Sequence, residues 1–268
     1  MLFEKYARAE LLIEPEALQK RLGTPNLRLV DVRSQTDYDA GHLPGAVRLD
    51  EGLLRTERDK ETYLPTPDEV SQIVKSLGVG PKTHVIAYDA DFRGAARLWY
   101  VLSVHGIGRV SLLQGGIRRW TSEKRPLSVD KPTEVAGGVR VKRPAGSFFC
   151  PTTKAISARK GVVLLDTRSP EEYKGEARSK GHVPGAVHVD WRENLEEGGQ
   201  NFKSQSALRK LYAERGITPD REIVTYCASG GRASVSLFAL TLIGYKKVRL
   251  YYGSYSDYAA RPGSAFER

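Results

Sequence analysis

Residues 227–232 read CASGGR, between a β-rich run, EIVTY (222–226), and an apolar stretch, ASVSLFALTLIG (233–244). A cysteine in such a place can act as a nucleophile, because the thiolate is the reactive form and its surroundings decide how much of it is present. Gly230 and Gly231 permit backbone conformations that other residues resist, so the loop can turn several N–H groups inward. At a helix N-terminus those groups make an anion cradle. A thiol on its rim, near Arg232, feels a positive potential that favours the thiolate. Cys227 is therefore the candidate nucleophile, and the N–H groups of Ala228, Ser229, Gly230, Gly231 and Arg232 are candidate binders of an anionic substrate. The plain alternative is an inert cysteine that ends a buried strand, followed by a glycine pair that merely makes a turn.

The elements that must position this loop are written twice. Asp89 lies 227 − 89 = 138 residues before Cys227, and at the same offset Tyr88 matches Tyr226, Gly106 matches Gly244, Val110 matches Val248 and Gly115 matches Gly253. Upstream, DVRSQTDYDAGHLPGAVRLD (31–50) echoes DTRSPEEYKGEARSKGHVPGAVHVD (166–190). There the offset grows from 166 − 31 = 135 to 181 − 41 = 140, so the second copy carries 140 − 135 = 5 extra residues between Tyr173 and Gly181. Continuous apolar runs such as LRLVDVR, HVIAYD, GVVLLDTR and EIVTYC alternate with helical stretches such as SALRKLYAERG. That alternation predicts an α/β protein: two tandem domains, each a parallel sheet with helices on both faces, with ligands at the carboxyl ends of the strands. The first domain is expected over 1–127, a linker rich in Pro, Gly and charge over 128–146, and the second domain over 147–268. The first loop, DADFRG (89–94), puts Phe92 and Arg93 where the second has glycines, which predicts that its cradle is not formed.

Composition narrows the function classes. The 42 Lys and Arg exceed the 32 Asp and Glu by ten. The excess is spread along the chain and forms no basic cluster or nucleic-acid motif, so no nucleic-acid partner is expected. No segment has the roughly 18 apolar residues of a membrane helix, and the opening MLFEKYARAELLIEPEAL lacks the apolar run of a signal peptide, so a cytoplasmic protein is expected. Two cysteines, Cys150 and Cys227, make no disulfide framework, and five dispersed histidines make no metal site.

The chain resembles the two-domain rhodanese family of sulfurtransferases. The paired GHLPGA (41–46) and GHVPGA (181–186), the DVR and DTR openings, the CASGGR loop, LLQGGIRRW (112–120) and LYYGSYSDY (250–258) carry the resemblance over nearly the whole chain. It implies that Cys227 carries a persulfide and that the first domain, with Asp89 in the cysteine's place, is inactive. The expected donor is a small anionic sulfur compound, thiosulfate or 3-mercaptopyruvate. The expected acceptor is cyanide, a small thiol or a protein thiol. Each step exchanges one sulfur–sulfur bond, so no cofactor is required. The family segment that corresponds to the five-residue insertion supplies basic residues to the anion site, which makes Arg178 a candidate substrate binder. Glu172 departs from relatives that carry an arginine near that place, and this acid favours thiosulfate over the carboxylate of mercaptopyruvate.

Two other readings stand beside this one. Cysteine phosphatases and arsenate reductases use Cys…Arg loops with five intervening residues, whereas four separate Cys227 from Arg232 here. A non-catalytic module that binds partner proteins would not need the intact loop. His42 and His182 read as parts of fixed turns, and Asp31, Arg33, Asp166 and Arg168 as structural ion pairs, because both halves hold them. Trp191 reads equally as a cleft aromatic or as core, and Cys150 as the start of a helix-like stretch.

Overall fold

The computed structural model describes residues 5–58, 61–132, 137–145, 148–150 and 161–268. In the first half, β1 (Leu12–Ile13), α1 (Pro15–Gln19), β2 (Leu27–Asp31), α2 (Gln35–Asp39) and β3 (Val47–Arg48) come first. A small antiparallel pair, β4 (Thr56–Arg58) and β5 (Glu61–Tyr63), follows, and then α3 (Pro67–Ser76), β6 (His84–Tyr88), α4 (Arg93–Val104), β7 (Val110–Leu113) and α5 (Gly116–Ser122). The second half runs β8 (Phe149–Cys150), β9 (Val162–Asp166), α6 (Pro170–Lys174), β10 (Val187–His188), α7 (Gln205–Ala213), β11 (Glu222–Tyr226), α8 (Gly231–Leu242), β12 (Val248–Tyr251) and α9 (Ser254–Ala260).

Both halves build the same five-stranded parallel sheet. The strand orders are β1-β7-β6-β2-β3 and, read from the matching edge, β8-β12-β11-β9-β10. Each sheet is apolar on both faces, which is why its strands read as unbroken hydrophobic runs. In the first, Leu29, Ile86 and Leu113 pack with Ile117 and Trp120 of α5, while Val30, Val85 and Leu112 face α3 and α4. In the second, Leu164, Val224 and Tyr251 pack toward α9, while Val163, Ile223 and Val248 face α7 and α8. No helix among the described residues is long and apolar enough to cross a membrane.

The two halves share one core, because the inner faces of both sheets and the helices α4 and α8 join a single buried cluster. Trp99 meets Phe238 edge-on with ring centroids 5.0 Å apart, and Phe92 lies 4.6 Å from Phe202. The segment before β1 also crosses over: Arg8 donates its N–H to the Leu242 carbonyl at 3.0 Å, and the Tyr6 hydroxyl donates to the Lys203 carbonyl at 2.8 Å. Beyond Leu127 the chain docks on the first half, with Gly138, Lys142 and Ala145 donating N–H groups to Val79, His105 and Val104.

Cys150 ends the edge strand β8, paired with Tyr251 of β12. The helix-like stretch expected after it lies outside the described residues.

The repeated motifs are turns that hold strand ends. Arg168 clamps Asp166 at 2.6 Å and donates to the Gly181 carbonyl at 2.9 Å, tying the end of β9 to GHVPGA. Arg33 does the same for Asp31 and Gly41, at 2.6 and 2.8 Å. His42 stacks on Tyr38 with centroids 3.9 Å apart, and His182 stacks on Tyr173 at 3.7 Å.

Candidate functional site

Cys227 comes directly after the last residue of β11, and its loop runs straight into α8. The Gly230 N–H donates to Cys227 Sγ at 3.1 Å. To do so Gly230 takes φ +92°, in the left-handed region, and an added Cβ would lie 3.3 Å from the Tyr252 ring and its carbonyl oxygen. The thiol is almost buried, with 1% of the residue exposed, and it lines a cleft of about 690 Å³ between the halves. Ala228, Ser229, Gly231 and Arg232 line the same cleft with Cys227. Tyr255 and Ser256, at the start of α9, donate N–H groups to the carbonyls of Cys227 and Ala228, and so fix the loop from behind.

The far wall comes from the first half: Val32 to Ser34, Asp37, Glu51, Arg55, Asp89 to Asp91, Arg93, Gly94 and Arg97. Trp191 and Arg192 close one side, with the Arg93 guanidinium over the Trp191 ring at 5.7 Å. Trp191 thus belongs to the cleft. Arg178 does not. It is exposed, has φ +52°, and sits on the loop between α6 and GHVPGA, where its N–H donates to the Glu176 carbonyl at 3.2 Å. The five extra residues carry it away from Cys227.

Arg232 is already engaged. Its guanidinium grips Glu172 with two N–H donors, Nη2 at 2.9 Å and Nη1 closer still. Glu172 has a second task, because it closes the capping box of α6 with Ser169. Burial works against the carboxylate, but Arg232, the Ser169 N–H and Arg168 outweigh it and hold Glu172 down to about 2. Burial likewise works against the Arg232 charge, and Glu172 with the Cys227 sulfur more than restores it. The acid that departs from the family's pattern is therefore neutralised by the cation at the end of the Cys227 loop.

The first loop overturns its expectation. Its cradle is formed: Phe92, Gly94 and Ala95 donate N–H groups to the Asp89 carboxylate at 2.5, 2.7 and 3.1 Å. Phe92 takes φ +69°, the left-handed conformation that Gly230 takes in the other half. Packing of its side chain on Phe202 in the shared core offsets the cost. The first half thus fills its cradle with its own carboxyl group where the second leaves room for an anion. Full burial and nearby Asp91 push the Asp89 carboxyl up to about 7 against those N–H bonds.

Sequence reasoning missed Arg97. It lies on α4, 3% exposed, and donates Nη2–H to the Ser229 carbonyl at 3.0 Å, across the interface and inside the Cys227 loop. The signal was a lone arginine inside the apolar run GAARLWYVL (94–102).

A family model of the Rhodanese-like domain matches residues 14–123 and 152–261. The chain belongs to the rhodanese family of sulfurtransferases. It is 32% identical over 272 residues to a thiosulfate sulfurtransferase of Azotobacter vinelandii, a match that covers 98% of this chain and 99% of the relative. It is also 32% identical over 272 residues to a sulfur carrier protein of Thermus thermophilus, covering 94% and 95%. Among solved structures, this rhodanese superposes on SseA, a 3-mercaptopyruvate sulfotransferase from Escherichia coli, with a TM-score of 0.81 at 27% identity, covering 91% of this chain and 98% of that one.

Proposed function

We propose that this enzyme takes the outer sulfur of thiosulfate onto Cys227 as a persulfide and passes it to a thiophilic acceptor such as cyanide, a small thiol or a protein thiol. The observation that carries the reading is the placement of the Cys227 sulfur: it accepts an N–H from its own loop and lines a cleft with six arginines on its walls.

The steps balance without a cofactor. The Cys227 thiolate attacks the outer sulfur of thiosulfate, and a new sulfur–sulfur bond forms. The donor's own sulfur–sulfur bond breaks, and its electron pair leaves with sulfite. The outer sulfur of the persulfide keeps the negative charge, which the loop N–H groups from Ala228 to Arg232 stabilise in this reading. The acceptor then attacks that sulfur and releases the Cys227 thiolate. A reducing, cytoplasmic setting belongs to the same reading, since a free thiol must start each cycle.

Thiosulfate is favoured over 3-mercaptopyruvate because a carboxylate needs a bidentate arginine or a pair of cations. Arg178 lies outside the cleft and Arg232 is held by Glu172. The test compares kcat/KM for the two donors with one shared acceptor. A higher value for thiosulfate supports the assignment, and a mercaptopyruvate value well above it refutes the donor while leaving the nucleophile in place.

A further inference from the structure

We infer that Arg97, from the half without a nucleophile, is the cation that binds the anionic end of the sulfur donor beside Cys227. The inference rests on the persulfide reading of Cys227 and assigns the donor-binding charge within it.

The sulfur-transfer step gathers negative charge in a narrow place. A thiolate meets a dianion, and no proton is taken up that would relieve the repulsion. A cation without a dedicated partner is needed near the thiol. Four of the cleft arginines already have a close carboxylate: Arg33 with Asp31 at 2.6 Å, Arg93 with Asp91 at 2.6 Å, Arg192 with Asp190 at 2.5 Å, and Arg232 with Glu172; Arg55, also on the cleft wall, has a partner of its own. Each such pair is close to neutral at a distance.

Arg97 differs. Its Nε lies 3.2 Å from Glu51, near enough for an ion pair but misaligned for a hydrogen bond, and the Glu51 side chain is 46% exposed, so water screens it. Nη2 is used on the Ser229 carbonyl, and Nη1 is buried with no hydrogen-bond acceptor among the described residues. A buried guanidinium N–H without an acceptor is costly, and a ligand oxygen or sulfur would satisfy it. Burial weakens the charge, but Tyr252, Glu51 and the Cys227 sulfur sustain it. The Tyr252 ring carries the guanidinium 5.6 Å from its centroid, which fixes its plane against the loop.

The loop is shaped around this side chain. A Cβ on Gly231 would lie 2.8 Å from Arg97 Nη2. The second glycine of CASGGR thus leaves room for a guanidinium from the other half, and a side chain there would displace that cation. The repeat makes the asymmetry plain: at the 138-residue offset the counterpart of Arg97 is Val235, 97 + 138 = 235, a buried apolar residue. In the first half the Asp89 carboxyl group fills the cradle itself, held by backbone N–H groups; the second half receives a cation from α4.

The test compares alkylation of Cys227 by iodoacetate, which is anionic, with alkylation by iodoacetamide, which is neutral and of similar size. Arg97→Met should lower the iodoacetate-to-iodoacetamide rate ratio about tenfold and raise KM for thiosulfate more than it lowers kcat, while Arg97→Lys keeps most of the ratio. An arginine that only staples the halves would alter melting temperature and leave the ratio unchanged; that result overturns the inference. If Arg97→Met fails to fold, Glu51→Gln decides: loss of the screening carboxylate should raise the ratio, and no change refutes the role. The alkylation ratio does not depend on sulfur transfer. Failure of wild-type Cys227 to take sulfur from thiosulfate would instead refute the persulfide reading.

Discussion

Replacing Glu172 with Gln separates the two tasks of that carboxylate. Gln can still accept the Ser169 N–H that caps α6, at 3.1 Å, but it cannot carry the charge that grips Arg232. Arg232, the Ser169 N–H and Arg168 together lower Glu172 from 4.5 to about 2 against burial. At about 1.4 kcal/mol per pKa unit, such a shift corresponds to about 3.4 kcal/mol. The side chains are 19% and 24% exposed, and solvent screening, with the Ser169 bond that Gln keeps, brings the expected loss to about 2 kcal/mol at pH 7. The sign follows from the lowered value: the stabilisation is complete above the unfolded value of 4.5 and is lost as pH falls through about 2. Denaturant midpoints of wild type and Glu172→Gln should therefore differ clearly at pH 7 and by less than half as much at pH 3. In the same variant Arg232 is released toward the cleft, so KM for thiosulfate should fall. An equal stability gap at both pH values would show that packing or capping, and not the ion pair, is what Glu172 supplies.

Other outcomes rest on the same geometry. Cys227→Ser should abolish sulfur transfer while Cys150→Ser keeps most of it, read by cyanide-dependent turnover; loss with Cys150→Ser alone would move the nucleophile to the other cysteine. Gly230→Ala should cost about 1–2 kcal/mol for the left-handed backbone and slow Cys227 alkylation, checked by denaturation and by mass increase with time. The Asp89 carboxyl should titrate near pH 7 by carbon-13 NMR, with stability falling as pH rises from 3.8 toward that value; a midpoint near 4 would contradict the dominance of burial.

Much of this molecule is legible in its sequence. The repeat, the parallel sheets and the place of Cys227 at a strand end emerge from apolar runs and from motifs at fixed offsets, because local propensity and burial agree there. The cradle around Asp89 is not legible. A phenylalanine in the left-handed region is improbable from local preference, and it is held there by its N–H bond to Asp89 and by packing on Phe202, 110 residues away by 202 − 92. The Glu172–Arg232 pair spans 232 − 172 = 60 residues and the Arg97–Ser229 contact spans 229 − 97 = 132. Both depend on how a loop or a helix docks, which no spacing rule records. Arg178 failed for the converse reason: the insertion has the right charge, but its turn leads outward from α6.

The central claim is that Cys227 holds the transferred sulfur. Purified protein should be mixed with thiosulfate without acceptor, digested under non-reducing conditions and weighed peptide by peptide. The account predicts one added sulfur atom on the peptide that contains Cys227, removed on addition of cyanide with release of thiocyanate. An unmodified Cys227 peptide, or the added sulfur on the Cys150 peptide, would contradict it.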